Sequence, residues 1–417
     1  MIPPWGEPLS TAEEMRAAEG AYAGPTLELM ERAGAAVAET VRRRHSDARR
    51  VSIWCGPGAN GGDGLVVGRL LHAAGLAVEI RLLADEARVA GDAAVNLARA
   101  KEAGLSFVAD PGTAEVVVDA LFGTGFAGSP RPEAAAAIEA INATGAPVVA
   151  VDVPSGIDAS TGRVPGAAVR ADVTVTFHHR KLGLAIAPGR FHAGDVEVAD
   201  IGVERGDTLA CRALPSVLDL VPRRTARDNK YSAGSVLVVG GSTGLTGAPC
   251  LTAEAALRAG AGIVFAAVPA GLNPVFELRL LEVMSRPCPD EDGHLTPDAL
   301  EPILALAART RAVAIGPGLG RTEGARELVR LLLERLELPV VLDADGLFAV
   351  AGHLDWVFAR EPPTVLTPHA GELGRLLGWG SERVHARRLD AVRAGAAETG
   401  AVVLLKGVDT IVSGRGR

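Results

Sequence analysis

The sequence has few cysteines and none of the patterns in which cysteines act together. Its 417 residues include four, Cys55, Cys211, Cys250 and Cys288, which are far apart and form no CxxC pair. Zinc sites typically use closely spaced cysteine pairs, and disulfide frameworks use several cysteines in a short chain, so the sequence favours neither. Scattered cysteines are typical of a reducing compartment, and we expect a cytoplasmic protein.

Long apolar runs and an excess of positive charge are also missing. No stretch of about 18 uninterrupted apolar residues occurs, so no membrane-spanning helix is predicted. The N-terminal segment MIPPWGEPLSTAEEMRAAEG has neither the basic start nor the apolar core of a secretory signal peptide. The net charge of −8 provides no attraction for nucleic acid or an anionic membrane. We therefore expect neither nucleic acid nor a membrane as a partner.

Most of the chain alternates short β-branched runs with Ala-, Leu- and Arg-rich stretches of helical periodicity. Apolar strands separated by helices predict a parallel sheet covered on both faces. A chain of this length exceeds one ordinary core, so two domains are expected. The predicted strands are VSIWC, AVEIRLL, AEVVVDALF, APVVAVDV and ADVTVTF in the first half, and SVLVVGG, AGIVFAAV, RAVAIGPG, PVVLDAD, PTVLTPH and AVVLLKG in the second.

The alternation lapses once, in ALPSVLDLVPRRTARDNKYSAG, where proline and clustered charge occur without a period. We therefore predict two three-layer α/β domains. The first is a Rossmann-like domain over residues 1–211, followed by a linker over 212–225 and a second domain over 226–417.

Polar side chains follow three strands of the first predicted sheet. The glycine-rich loop CGPGANGGDG contains Asn60 and Asp63, and Asp119, Asp152 and Ser155 follow two later strands. Ligands of open parallel sheets bind outside the carboxyl ends of the strands. Glycine loops beside hard oxygen ligands suggest a nucleotide-like ligand next to a cation. The alternative is that each side chain, Asp63 included, only caps the following helix or turn.

Five segments in series give the first half a resemblance to a known family. MRAAEGAYAGPTLELMERAG, GPGANGGDGLVVGRLL, VDALFGTGFAG, VDVPSGIDASTG and FHHRKLGLAIAPGRFHAGDVEVADIG are similar to segments of the NAD(P)H-hydrate epimerase family. The resemblance implies interconversion of the R and S hydrates of NADH and NADPH (NADHX and NADPHX), with a potassium ion beside the dinucleotide.

The resemblance also assigns residues. It implies potassium contacts at Asn60, Asp119 and Ser155, and we predict Asp152 as the catalytic acid/base group. The family usually has a second Asn where this chain has Ala59. The implied substrate contacts are Ala59, Asn60, Gly61, Gly62, Asp63, Gly123, Thr124, Gly125, Phe126, Ala127, Gly128, Ser129 and Asp152.

The segment FHHRKLG adds three candidate side chains, His178, His179 and Lys181. Adjacent residues of a strand point to opposite faces, so the two histidines are not expected to bind one ion, and we interpret them as solvated strand-end residues. Lys181 is one of only four lysines against 38 arginines, but the sequence assigns it no catalytic role.

The second half resembles the ribokinase-like, ADP-dependent NAD(P)H-hydrate dehydratase family. The similar segments are NKYSAGSVLVVGGSTGLTGAPCLTAEAALRAGAGIV, AIGPGLGR, VVLDADGL, LTPHAGELGRLLG and VVLLKGVDT. The resemblance implies ADP-dependent dehydration of the S hydrate, with ADP and Mg²⁺ as cofactors. His369 is alternatively a helix-capping or core histidine. The implied hydrate contacts are Ala248, Gly318 and His369, and the implied nucleotide contacts are Lys406, Gly407, Val408, Asp409 and Thr410.

One family segment, a Gly-Thr-Gly-Asp turn whose Asp is the catalytic base, has no counterpart in the second half. The sequence ends in VDTIVSGRGR, at the start of a predicted hairpin. We therefore expect a truncated ribokinase-like sheet, an open edge beside AVVLLKG and impaired dehydration. Two other functions stay open, a ribokinase-like small-molecule kinase with a nucleotide-binding N-terminal domain and a non-catalytic binding module. A homo-oligomer is compatible with the sequence.

Overall fold

The computed structural model describes residues 2–204 and 206–414. The chain divides into two compact units, residues 1–220 and 221–417. In this described part, no helix is both long enough and apolar enough to cross a bilayer. The predicted linker over 212–225 includes the end of a strand and a six-residue 3₁₀ helix, Pro215–Leu220.

The first unit is built on a seven-stranded sheet in which every neighbouring pair is parallel. Its strand order is β4-β3-β2-β5-β6-β7-β9, and β1, β8 and β10 form a separate three-stranded sheet. The strands are β1 (Gly6–Ser10), β2 (Arg50–Cys55), β3 (Ala77–Leu82), β4 (Ser106–Phe107), β5 (Val116–Ala120), β6 (Val148–Val151), β7 (Val173–Phe177), β8 (Arg180–Lys181), β9 (Asp195–Ala199) and β10 (Ala210–Ala213).

Helices cover both faces of this sheet. Its central strands β5, β6 and β7 are therefore buried along their whole length. One face packs against α2 and α3 around Val37, Leu65 and Val118, and the other packs against α5 around Ile138. The helices are α1 (Ala12–Gly20), α2 (Thr26–Arg44), α3 (Ala59–Ala73), α4 (Gly91–Glu102) and α5 (Pro132–Ala143).

The second unit has an eight-stranded sheet in the order β13-β12-β11-β16-β17-β18-β19-β20. All of its pairs are parallel except the last, in which β20 runs antiparallel to β19. The strands are β11 (Ser235–Val239), β12 (Ile263–Pro269), β13 (Met284–Cys288), β14 (Asp290–Glu291), β15 (His294–Leu295), β16 (Ala312–Ile315), β17 (Val340–Leu342), β18 (Thr364–Leu366), β19 (Val402–Leu405) and β20 (Ile411–Ser413).

Nine helices of the described chain flank this second sheet, and its main core forms around Leu328, Leu342 and Leu366. The expected open edge beside AVVLLKG is wrong, because β20 pairs with β19 there. The helices are α6 (Gly247–Arg258), α7 (Asn273–Arg279), α8 (Leu300–Ala307), α9 (Glu323–Arg335), α10 (Asp345–Val350), α11 (Asp355–Phe358), α12 (Ala370–Leu377), α13 (Ser381–Ala386) and α14 (Arg388–Thr399).

The predicted fold class is confirmed, since both units are α/β layers built on large parallel sheets. The predicted strands that line the two cores all exist. The sequence missed the sheet formed by β1, β8 and β10, the edge strands β4, β9 and β13, and the short pair β14 and β15. Their apolar residues do not form the continuous runs that mark a buried parallel strand.

Candidate active sites

The glycine-rich segment after β2 is mostly helix. Helix α3 begins at Ala59, so Asn60 and Asp63 lie in its first turns. A Cβ on Gly56 would lie 2.0 Å from the Leu121 carbonyl oxygen, and one on Gly61 would lie 1.8 Å from the Gly56 oxygen. Close backbone packing therefore requires these glycines. The helix-cap interpretation of Asp63 is wrong, because Gly58 is the N-cap and α3 has no side-chain cap.

Asp119 and Ser155 form a buried hydrogen-bonded pair at the carboxyl edge of the sheet. Ser155 donates its Oγ–H to Asp119 Oδ1 at 2.6 Å and its backbone N–H to Oδ2 at 2.7 Å. The Leu121 N–H also donates to Oδ1, at 3.2 Å. Burial raises the pKa of Asp119 to about 6, against the lowering effect of these hydrogen bonds. The carboxyl group is therefore held in one orientation from three donors.

Asn60 brings an amide group to the same edge of the sheet. The side chain is buried, and its Nδ2 has no hydrogen-bond partner among the described residues. A Cβ placed on Gly123 would lie 2.9 Å from Asn60 Oδ1 and 3.3 Å from Asp152 Oδ2. Asn60 therefore faces the glycine loop 123–129 with unused hydrogen-bonding capacity.

Amide, carboxylate and hydroxyl oxygens are the donors that hard cations accept, so Asn60, Asp119 and Ser155 fit an alkali cation. The set contains a single carboxylate and no histidine or cysteine. In agreement with that, residues 2–204 and 206–414 include no cluster of three His, Cys, Asp or Glu side chains suited to a metal ion. The thiolate and imidazole ligands that suit zinc and copper are not part of this set.

Asp152 lies next to this set and is held by a buried lysine. Lys181 Nζ is 2.6 Å from Asp152 Oδ1, and the ammonium also donates to Thr176 Oγ1 at 3.1 Å and to the Phe177 carbonyl at 2.8 Å. Thr176 Oγ1 donates to Asp152 Oδ1 at 3.1 Å, and Lys181 is completely buried. Asp152 has a φ of 65°, a left-handed conformation that is uncommon for this residue.

The Asp152 carboxylate also contacts the glycine loop 123–129. The Thr124 N–H points at Asp152 Oδ2 from 3.3 Å. In this loop Gly125, Ala127, Gly128 and Ser129 are exposed, and the Phe126 ring stacks on Phe122 with centroids 5.2 Å apart. The predicted loop residues therefore line one side of Asp152. Ala59 is exposed at the start of α3.

The interpretation of His178 and His179 as solvated is wrong. Both are buried, and their rings stack with centroids 3.8 Å apart. His178 has a φ of 65°, which breaks the alternation of a regular strand just past β7 and allows both rings to face the same way. A sequence pattern that assumes continuous strand geometry could not detect this.

Lys181 is the side chain of this site that the sequence analysis left without a role. The signal was the rarity of lysine, since only four lysines occur in the chain. Glu19, at the end of α1, was also missed. Burial raises the pKa of Glu19, with the Asp152 charge adding to the effect and Lys181 opposing it, so Glu19 faces the same cluster.

In the second unit, the glycine loop after β16 is held against the start of α10. Asp345 accepts hydrogen bonds from the Gly320 N–H at 3.1 Å and from Arg321 Nε at 2.8 Å. A Cβ on Gly316 would lie 2.0 Å from the Asp343 carbonyl oxygen, and one on Gly318 would lie 2.4 Å from the Leu245 oxygen. The loop is therefore packed too closely for side chains at these positions.

Lys406, at the end of β19, lies at the carboxyl edge of the same sheet. Its Nζ donates to Asp343 Oδ1 at 2.9 Å, and Thr367 Oγ1 donates to that same oxygen at 2.8 Å. The turn 406–410 connects β19 to β20, and the buried Arg388 holds it through the Asp409 carbonyl. Gly407 passes directly over the Arg388 guanidinium, where a Cβ would lie 2.5 Å from Nη2.

His369 is the N-cap of α12. Its Nδ1 accepts hydrogen bonds from the Gly371 N–H at 3.0 Å and the Glu372 N–H at 3.3 Å. The capping interpretation is thus confirmed, and it also fixes the tautomer. Because Nδ1 accepts, the proton of a neutral ring lies on Nε2, and the side chain is 61% exposed. Nε2–H is therefore the donor of this ring, and it lies 3.6 Å from Glu372 Oε1 on the exposed side of the cap.

The other two predicted hydrate contacts lie on neighbouring segments. Ala248 is exposed at the start of α6, whereas Gly318 is buried. The Gly318 carbonyl accepts a hydrogen bond from Ser242 Oγ at 2.9 Å.

Each sheet thus carries its acidic, basic and glycine-rich segments at the carboxyl ends of its strands, where α/β enzymes bind substrates. These features define the chain as an α/β enzyme with one candidate site in each unit. Family models support this division. The model of the YjeF-related protein N-terminus matches residues 26–183, and the NAD(P)H-hydrate dehydratase model matches residues 236–416.

Whole proteins of one kind are similar to this chain. The bifunctional NAD(P)H-hydrate repair enzyme Nnr of Moorella thermoacetica is 41% identical over 97% of this chain and 81% of that protein. Its counterpart from Salinibacter ruber is 37% identical over 98% and 82%. A crystal structure of ADP/ATP-dependent NAD(P)H-hydrate dehydratase from Bacillus subtilis is 28% identical over 47% of this chain and 66% of that one, with a TM-score of 0.38.

The chain belongs to the family of bifunctional NAD(P)H-hydrate repair enzymes. This membership confirms the resemblance that the sequence motifs carried. It also decides against the two alternatives, a ribokinase-like small-molecule kinase and a non-catalytic binding module.

Proposed function

We propose that the first unit epimerises the hydrates of NADH and NADPH and that the second dehydrates the S hydrate with consumption of ADP. The observation that carries the epimerase assignment is the buried Asp152–Lys181 pair beside the glycine loop. A carboxylate held at 2.6 Å from a completely buried ammonium group is fixed in place beside the glycine loop. Asp152 is thus the proton acceptor, and Lys181 is a positioning residue that acts through it.

The substrate would lie on the start of α3 and the loop 123–129. The N-terminus of α3 and the exposed loop amides suit the phosphates of a dinucleotide. This placement brings the hydrated nicotinamide ring towards Asp152. Asn60, Asp119 and Ser155 would hold a potassium ion, which supplies a fixed positive charge beside the substrate phosphates when it is bound.

Potassium dependence is best tested at Asn60, because Asp119 accepts three hydrogen bonds and its removal would destabilise the fold. Asn60→Ala should increase the potassium concentration for half-maximal epimer exchange about tenfold or more, since contacts to charged groups contribute about 1.5–3 kcal/mol. The melting temperature without potassium should change little.

The measurement is a potassium titration of epimer exchange at constant ionic strength, with choline chloride as the balancing salt. A potassium-independent wild type would contradict the cation site. An unchanged titration curve for Asn60→Ala in a potassium-dependent wild type would remove Asn60 from it.

In the second unit, the nucleotide would lie against the turn 406–410, where the Lys406 ammonium and exposed backbone N–H groups can meet phosphate oxygens. Mg²⁺ would arrive with ADP, bound through the phosphates. The Nε2–H of His369 and the backbone around Gly318 and Ala248 would contact the hydrate. The Lys406–Asp343 pair sets the ammonium position before the nucleotide binds.

Lys406→Met should weaken ADP binding about 10- to 100-fold, because a charge-assisted hydrogen bond contributes about 1.5–3 kcal/mol. Calorimetric titration of the full chain with Mg-ADP measures the dissociation constant. Lys230→Met is the matched control, since Lys230 is an exposed lysine of the same unit that lies against Tyr231. Equal affinities of wild type and Lys406→Met would place the nucleotide elsewhere.

A further inference from the structure

Asp63 is a buried carboxyl group that no protein group satisfies. It is 8% exposed, and among the described residues its side chain makes neither a hydrogen bond nor an ion pair, so that only burial and nearby charges act on it. Buried carboxylates normally have partners, because an isolated ionised carboxyl group in a protein interior is strongly unfavourable. An unpartnered buried carboxyl group is therefore expected to carry its proton.

The surroundings of Asp63 favour the same state. Burial raises its pKa well above the ordinary range, the charges of Asp152 and Glu19 raise it further, and only Lys181 opposes them. From β2, the buried Cys55 thiol also faces it, and burial raises the pKa of that thiol.

The helices packed against α3 add no cation to offset this. Helix α2 contributes Met30 and Gly34 next to the glycines around Asp63. Glu31 of α2 is paired with Arg69 of α3 and Arg99 of α4, and none of these three groups acts on Asp63.

Asp63 and Asp152 thus lie in the same site with opposite surroundings. Asp152 is 2.6 Å from the Lys181 ammonium and receives the Thr176 hydroxyl, whereas Asp63 has no donor. Two neighbouring carboxyl groups in such different surroundings typically divide the roles of acid and base.

We propose that Asp63 is the proton donor of the epimerase reaction, acting with Asp152 as the proton acceptor. This inference rests on the epimerase function proposed above. Asp63 gives its proton to the hydroxyl group on the hydrated ring carbon. The C–O bond breaks, its electron pair leaves with oxygen as water, and the ring nitrogen lone pair stabilises the resulting cation.

Inversion follows when water adds to the opposite face of the ring. The new C–O bond forms from the water oxygen, and Asp152 accepts the released proton. Asp63 is then ionised and Asp152 protonated, and exchange of one proton with solvent restores both groups. No oxidant, reductant or further reactant is consumed, and the hydroxyl oxygen of the product comes from water.

The test compares Asp63→Asn with wild type in the full chain. Asparagine keeps the shape of the side chain but cannot supply the proton, so kcat for epimer exchange should fall about 10²–10⁴-fold while KM changes little. The control is Asp172→Asn, the same change at an exposed residue whose carboxylate accepts a hydrogen bond from the Val148 N–H. It should keep wild-type kcat.

Two further readouts separate catalysis from structure. In ¹⁸O-labelled water, wild type should incorporate label into the hydroxyl at the rate of epimer exchange, and Asp63→Asn should slow both equally. The wild-type kcat should also fall as pH rises through the raised pKa of Asp63, and Asp63→Asn should lose that alkaline limb. Exchange without label incorporation would overturn the C–O cleavage step.

Stability should change in the opposite direction from activity. As pH rises, the unfolded chain releases the Asp63 proton first, because the folded state has the raised pKa. Wild type therefore loses stability between the ordinary pKa and the raised one. Asp63→Asn has no such proton. The melting temperature of the variant should therefore rise relative to that of wild type as pH increases through this window.

The outcomes are distinguishable. A wild type without epimer exchange would refute the proposed function itself. An active wild type with an Asp63→Asn variant of equal kcat would refute only the role of Asp63. If Asp63→Asn does not fold, infrared spectroscopy of the wild type decides, because the inference requires a protonated carboxyl band near neutral pH that the Glu19→Gln variant retains. Absence of that band would overturn it.

Discussion

Asp152→Asn should lower the rate of epimer exchange about 10²–10⁴-fold, the contribution typical of a positioned acid or base. The variant keeps the side-chain shape and can still contact the Thr124 N–H and the Thr176 hydroxyl. What it loses is the ability to accept a proton within the site and the charge that pairs with the buried Lys181 ammonium, so it should also lose some stability. The expected loss lies in kcat, because the loop 123–129 and the start of α3 remain to bind the dinucleotide.

The measurement is the approach to equilibrium from a single purified epimer, followed by chromatography. Asp172→Asn is again the matched control. Exchange at the wild-type rate in Asp152→Asn would remove Asp152 from the mechanism. A rise in KM with unchanged kcat would instead make Asp152 a binding residue.

Lys181→Met should be the most destabilising single substitution at this site. Removing one partner of a buried ion pair leaves the other charge unpaired, which costs about 3–5 kcal/mol of unfolding free energy. Lys181 is completely buried, and its ammonium has three oxygen neighbours within 3.1 Å. Methionine fills most of the volume, so the loss reports the charge and its hydrogen bonds.

A double-mutant cycle tests this explanation. Asp152→Asn removes the charge that Lys181→Met leaves behind, so the double variant should be more stable than Lys181→Met alone. Amide hydrogen exchange of β7, Val173–Phe177, follows the first unit separately from the second. Additive losses in the cycle would show that Lys181 and Asp152 do not interact energetically.

Lys181→Arg distinguishes positioning from general stability. Arginine keeps the charge but not the compact ammonium that fits between Asp152, Thr176 and the Phe177 carbonyl. We expect Lys181→Arg to regain part of the stability that Lys181→Met loses, while its kcat stays below that of wild type. Full recovery of kcat would mean that Lys181 supplies only charge.

Much of the fold could be predicted from the sequence because parallel strands are buried on both faces and read as continuous apolar runs. The strands Val116–Ala120 and Val148–Val151 are buried along their whole length, and their apolar runs predicted them. Strands β1, β8 and β10 form a small side sheet with partly exposed residues and carry no such signal.

The sequence by itself determined the two α/β units, the family and the strand ends that carry Asn60, Asp119, Asp152 and Ser155, since these depend on local runs and motifs. Only the tertiary structure decided the state of each side chain. Lys181 reaches Asp152 across the end of β7, and Asp63 lies buried inside α3, which begins at Ala59. Charge state and hydrogen bonding follow from burial and from neighbours distant in sequence, which no local pattern specifies.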